Sequence, residues 1–447
     1  MHVVAQALAV GPIYSAGLLL FLVARTAGAA TPFVVLVAML GSLALAWAIS
    51  LYARRYFGAG AVYEYVRRAH SPVLGSLFGV TYFIVYLAAV GVLLLLAGLL
   101  TKGFALSHLG LDPPWWGGGI AAGVFVFAVA YLGITLSART QLALTALAAV
   151  PLLALVVVVI VRSGTAGNTL SVFNPRTEGA GNVFRGLLFG VQLFVGFEAA
   201  ASLGEETRDP QRIIPRAMLA TVALAGVFYL AVAYVGTIGF GLDSVAEEWG
   251  GNPLGLSELA GRFMGGPFGA LVELAIVVDV LAVLAAIVNT VARGVFAMAR
   301  DNVLPARLAA VSRHSTPIGG LLVAAGAATL GLIVPNFVEP TRLLETFAVT
   351  TLLCVLLVYV VLAAGAVRLC ASAPGSRARW LALTLAIAVP VAGIAGTVTP
   401  LPAGPPLVGT WLAIGLLVAS GLWAATTHRR LAMSQTDVDR GRNRCGP

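Results

Sequence analysis

The chain has 447 residues, 60% of them hydrophobic and only 10% charged, with 51 glycines, 22 prolines and a formal net charge of +9. A soluble core cannot hide that much apolar side chain behind so thin a polar skin, whereas about twelve spans of ~21 residues absorb it. A soluble globular enzyme is thereby excluded and an all-α polytopic membrane protein predicted.

Apolar stretches fall at about 3–27, 31–53, 73–100, 116–135, 139–162, 181–203, 214–238, 268–298, 316–336, 343–369, 379–398 and 405–427. Each is near the length that crosses ~30 Å of hydrocarbon. The first has no basic flank and runs straight into the second, so no cleavable signal is expected. Residues 430–447 are polar and aperiodic and are expected to form a structureless tail. With the N-terminus inside and the loops sorted by parity, twenty of the 27 basic residues fall on the inner side and seven on the outer. This positive-inside asymmetry predicts a multi-pass cell-membrane protein with both termini cytoplasmic. The bases scatter among short loops and define no nucleic-acid surface. The longest outer loop, about 239–266, is acidic, with Asp243, Glu247, Glu248 and Glu258.

A lone lysine (Lys102) in a loop leaves no partner for a retinal Schiff base, and five histidines in termini or loops leave no paired haem ligands. Three scattered cysteines form neither a disulfide framework nor a metal site, and no GxxxxGK[ST] string supplies an ATPase. No cofactor is expected. Of eighteen carboxylates only Glu198, Glu273 and Asp279 fall well inside apolar spans, Glu345 lying at the very start of one. A charge near mid-bilayer costs ~2.5–3.5 kcal/mol or more, so such groups line cavities or pathways. Glu198 and Asp279 lie near mid-depth; Glu273 is nearer the outer end, within reach of the headgroups. A hydrogen-bonded structural role is the alternative for each.

Two spans carry breaks. The first holds Gly11-Pro12-Ile13-Tyr14-Ser15-Ala16-Gly17, the sixth Gly196-Phe197-Glu198 and on to Gly204. Proline removes a donor and glycine weakens a helix, so unwinding is cheap at both. Breaks in corresponding positions of two halves point to a midplane solute site. A proline kink and a glycine-packed crossing are the plainer account of each break taken singly.

Three motifs resemble the amino acid–polyamine–organocation permeases. GFEAAASLGEETRDPQRIIPRA (Gly196 to Ala217) is similar to that family's sixth-span "GFE" and the "EE..(N/D)P.R.IP" after it. NTVARGVFAMARDNVLPARLAAVSRHSTP (Asn289 to Pro317) resembles its eighth-span exit, and RYFGAGAVYEYV (Arg55 to Val66) its loop after span two. The resemblance implies a LeuT-type core of two inverted repeats, 1–162 and 181–371, with two extra helices in 379–427. It also implies amino-acid or amine transport driven by an ion gradient or by exchange. The first-span motif is divergent, GPIYSAG in place of a GSGIF-like string, and Ala148 stands where some members carry a coupling lysine.

The resulting expectation is a secondary transporter, not an enzyme, in the lipid bilayer, with an amino acid or related amine as substrate and H+ or Na+ as candidate coupling ions. The substrate carboxylate would meet N–H groups around Ser15, Ala16 and Gly17, beside Gly11 and Pro12. The ammonium would meet carbonyls near Val195 and the first break. Phe194, Phe197 and Tyr82 are candidate walls, with Gly196 and Glu198 at the second break; Glu198 and Asp279 are candidate coupling groups. Glu205, Glu206, Arg208, Arg293 and Arg300 form a candidate cytoplasmic gate. A same-fold carrier of a nucleobase or non-amino-acid amine, or an exchanger without ion coupling, is the alternative. The oligomeric state is left open.

Overall fold

The computed structural model describes residues 2–56, 58–174, 179–371, 377–399 and 401–444. Among these no strand forms beyond an isolated bridge between Val311 and Pro317. The first apolar stretch is cut into α1 (His2–Ala7), α2 (Pro12–Leu18) and α3 (Leu20–Ala27), with a 3₁₀ turn at Leu8–Val10. Then come α4 (Thr31–Ala53), the short α5 (Val62–Ala69), α6 (Pro72–Leu109), α7 (Trp115–Tyr131), α8 (Ile134–Gly167) and α9 (Gly179–Gln192). A 3₁₀ helix, Phe197–Leu203, leads to α10 (Pro210–Phe240). Short α11 (Val245–Glu248) and α12 (Gly255–Met264) fill the next connection. The chain closes with α13 (Gly266–Arg300), α14 (Ile318–Ile333), α15 (Pro340–Ala371), α16 (Arg377–Val398) and α17 (Pro405–Arg444).

Local signals set these limits. Prolines open α4, α6, α10 and α13 in the first turn, where a missing N–H costs nothing. At α6 the Ser71 hydroxyl also accepts from Leu74 N at 3.2 Å, and Gly110 ends the helix in the left-handed region.

Among the described residues ten helical stretches are long and apolar enough to cross a membrane, and two shorter ones, His2–Leu18 and Trp115–Tyr131, complete the twelve apolar stretches. The first runs across Gly11 and stops at Leu18, where Leu19 separates it from α3; the second is short because its helix stops at Leu132 before Gly133. Two expectations are corrected. Lys102 and His108 lie in α6, which outruns its apolar core by two turns, and not in a loop. Residues 430–444 of the polar tail are helical: α17 continues to Arg444, because no proline interrupts it and Arg, Leu, Ala, Met and Gln favour helix.

Burial sorts the helices. α13 is buried over 72% of its most apolar window and the stretch 181–203 over 83%, against 28% for α14 and α17. α13 packs on α6, α8, α12 and α14, and α10 lies along α4. Outward, α8, α14 and α17 present Leu147, Val157, Leu322, Leu330, Trp411 and Leu422, an apolar skin suited to lipid.

Candidate functional site

The two broken helices meet at the centre of the bundle. At the first break Gly11 adopts φ 58°, ψ 70°, ending the 3₁₀ turn and starting α2. A Cβ there would lie 2.3 Å from Val283 Cγ2 of α13, so both conformation and space demand glycine. Pro12 follows as the first helical residue. The next two N–H groups, of Ile13 and Tyr14, both donate to Asp279 Oδ2 at 2.9 Å. Asp279, fully buried on α13, thus acts as an N-cap supplied by another helix, placing its carboxylate at the positive end of the α2 dipole. Its Oδ1 accepts from the Thr145 hydroxyl of α8 at 2.8 Å.

Around this break the residues predicted from sequence are all inside, with tasks of their own. Ser15 N donates to Gly11 O at 2.7 Å and its hydroxyl to Val10 O at 2.8 Å. Ala16 is fully buried. Gly17 faces α13, where a Cβ would come within 2.5 Å of Ile276.

The second break starts earlier than its glycine. α9 ends at Gln192, a turn covers Leu193 to Gly196, and the alanine-rich run tightens into 3₁₀ helix instead of unwinding. Gly196 has φ 118°, and a Cβ there would lie 2.8 Å from the backbone of Ala9 and Val10. The breaks therefore touch main chain to main chain.

Glu198 is 1% exposed and holds four donors. Tyr82 Oη (3.0 Å) and Tyr86 Oη (2.6 Å) donate to Oε1, while Tyr359 Oη (2.7 Å) and Gly196 N (3.1 Å) donate to Oε2. Tyr82 and Tyr86 stack at 4.2 Å, one helical turn apart on α6. Phe194 packs edge-on to Tyr229 at 5.2 Å, Phe197 lies 6.0 Å from Tyr359, and Val195 is half-buried beside them. Sequence points to Tyr82 but not to Tyr86, Tyr359 or Thr145. The Tyr82–Tyr86 spacing is a readable signal; nothing in sequence links Tyr359 to a carboxylate 161 residues away.

A polar seam continues along α8 and α13. Ser137, Gln141 and Thr145 share one face of α8. The Ser137 hydroxyl accepts from Asn289 Nδ2 (2.7 Å) and Gln141 Nε2 (3.0 Å). Gln6 of α1 donates to Ala286 O and Thr290 Oγ1, both at 2.7 Å. The seam ends at Arg293, 4% exposed, whose guanidinium grips Glu206 at 2.8 and 3.1 Å. Beside it Arg300 holds Glu205 at 2.5 and 3.1 Å, and Glu205 also accepts from Ala59 N. The Arg300 guanidinium holds the Glu205 carboxyl below the usual range, against an opposing effect of burial. Asp301 binds Arg67 and Tyr63, tying in the α4–α6 connection. Arg208 is exposed and makes no ion pair among the described residues. At the far end of α13, Glu273 is buried and meets His108 at 3.0 Å, the two extra turns of α6 bringing the imidazole to it.

Paired helix breaks with buried carboxylates, inside a bundle of apolar helices, define a polytopic α-helical membrane protein with a central polar site. Residues 3–421 match the model of the amino acid permease family, and the chain belongs to that family. It is 27% identical to the low-affinity putrescine importer PlaP of Escherichia coli over 259 residues, 56% of this chain and 55% of that protein. It is 27% identical to the branched-chain amino acid permease BcaP of Bacillus subtilis over 161 residues, 35% of this chain and 33% of that one. An uncharacterised transporter of Mycobacterium tuberculosis is 32% identical over 289 residues, 62% of this chain and 61% of its own. The chain thus spans about half the length of the curated relatives it matches first.

Proposed function

We propose that the chain is a secondary active transporter carrying an amino acid or related amine across the cell membrane by alternating access. The observation that carries this is the main-chain contact of two glycine-centred helix breaks, flanked by the buried carboxylates Glu198 and Asp279. Family membership and relatives named as putrescine and branched-chain amino acid carriers support it. Residues 1–162 and 181–371 act as inverted repeats, the helices bearing the breaks rocking against the rest. The Glu206–Arg293 and Glu205–Arg300 pairs close the cytoplasmic side. Protonation or cation binding at Asp279 or Glu198 couples the movement to an H+ or Na+ gradient. The test is uptake of a radiolabelled panel of amino acids and amines into proteoliposomes, with and without imposed ΔpH or Na+. Gradient-dependent accumulation of at least one solute is expected; counterflow alone identifies an uncoupled exchanger, and no uptake of any solute overturns the assignment.

A further inference from the structure

The donors and acceptors at the breaks are unequally used. A carboxylate oxygen accepts about two hydrogen bonds. On that count Glu198 is saturated, with two donors on each oxygen, and Asp279 keeps one open site, on Oδ1. Along the same seam the buried acceptors Gln6 Oε1 and Gln141 Oε1 have no hydrogen-bond partner among the described residues. The donors are engaged in the opposite sense: the N–H groups of Ile13, Tyr14 and Gly196 all bind the chain's own carboxylates. The buried cation of the seam, Arg293, is held by Glu206.

Such an interior attracts positive charge and repels negative charge. The ammonium of an α-amino acid would find acceptors here. Its carboxylate would be buried beside Asp279 with its natural donors taken, which costs both desolvation and like-charge repulsion. From this geometry, and resting on the transport function proposed above, we infer that the solute is an organic amine without a carboxylate, its ammonium docked at Asp279. Asp279 already occupies the free N–H groups of the first break, which a solute carboxylate would need.

The experiment uses pairs that differ only by the carboxylate: ornithine and putrescine, lysine and cadaverine, leucine and isoamylamine. Each radiolabelled compound is offered to proteoliposomes of the full chain under the gradients above. The amine of at least one pair is expected to accumulate at an apparent affinity at least about tenfold tighter than its amino acid. Equal or better uptake of the amino acids overturns the inference and leaves the transport assignment standing; uptake of neither class overturns both. Asp279→Asn, checked for a monodisperse detergent peak, is expected to lower amine affinity about tenfold or more. Unchanged affinity in a folded variant removes Asp279 from the docking site and overturns the inference. If that variant does not fold, the selectivity of the unmodified chain still decides.

Discussion

At the scale of single residues, the buried carboxylates differ in how they are tied. Glu198 joins α6, α15 and the second break through four donors, so an amide there must turn an N–H₂ toward groups that are themselves donors. Glu198→Gln is expected to destabilise the fold by about 1–3 kcal/mol and to slow turnover. Melting in detergent and initial uptake rates check this, and unchanged values for both would reduce the tyrosine cage to ornament. The two ion pairs proposed to close the cytoplasmic side separate along another line. Arg300 and Glu205 are half-exposed, so losing that pair costs no more than ~1 kcal/mol. Arg293 is buried, so removing Glu206 strands a guanidinium in the interior. Glu206→Gln is therefore expected to lower the melting temperature clearly more than Glu205→Gln; the reverse order would contradict the assignment. The sign of the pH effect follows from the depressed Glu205 carboxyl. Its pairing is present above the ordinary glutamate range of about 4.3 and is lost only as pH falls through the lowered native value. Hence the stability difference between Glu205→Gln and the parent is expected to be flat across about pH 6 to 8 and to vanish in acid.

At the scale of elements, the breaks rest on two glycines that side chains cannot replace. Gly196 combines φ 118° with backbone atoms of Ala9 and Val10 at 2.8 Å from the missing Cβ. Main chain cannot step aside as a side-chain tip can, so Gly196→Ala is expected to abolish transport while insertion into the membrane survives. Gly17→Ala meets only the flexible end of Ile276 and is expected to retain part of the activity. Uptake normalised to membrane-inserted protein tests both, and a fully active Gly196→Ala would refute the close contact of the breaks. The same contrast explains what sequence discloses. Each apolar stretch is legible because hydrophobicity is a local property, and the breaks because Gly11, Pro12 and Gly196 act on their own backbone. The partners of Asp279 and Glu198 are not, since Thr145 and Tyr359 lie more than a hundred residues away and carry no local mark. Gly17 is legible as a small residue but not as a packing contact of α13.

At the scale of the molecule, the distribution of charge and the distribution of ties have to agree. The face gathering the α4–α6 connection, the end of the 3₁₀ helix and the end of α13 is laced by the Glu205, Glu206 and Asp301 ion pairs. The opposite face carries α11 and α12, where Arg262 pairs with Glu248 and Glu258. By the sequence alone, when the apolar spans alternate across the bilayer, twenty of the 27 basic residues go with the segments of the first side and seven with those of the second. Basic connections stay on the cytoplasmic side because their translocation is disfavoured. The laced face is therefore expected to be cytoplasmic, which would make the proposed gate an inner one and leave the proposed solute path to open first from outside. Single cysteines at two exposed positions, Arg208→Cys on the laced face and Glu247→Cys on the other, test this with the tail cysteine Cys445 replaced by serine. A membrane-impermeant maleimide is expected to label Glu247→Cys in intact cells and Arg208→Cys only in inside-out vesicles. Labelling in the opposite sense would invert the topology. It would turn the Arg293 and Arg300 pairs into an outer gate and make the solute enter first from the cytoplasm.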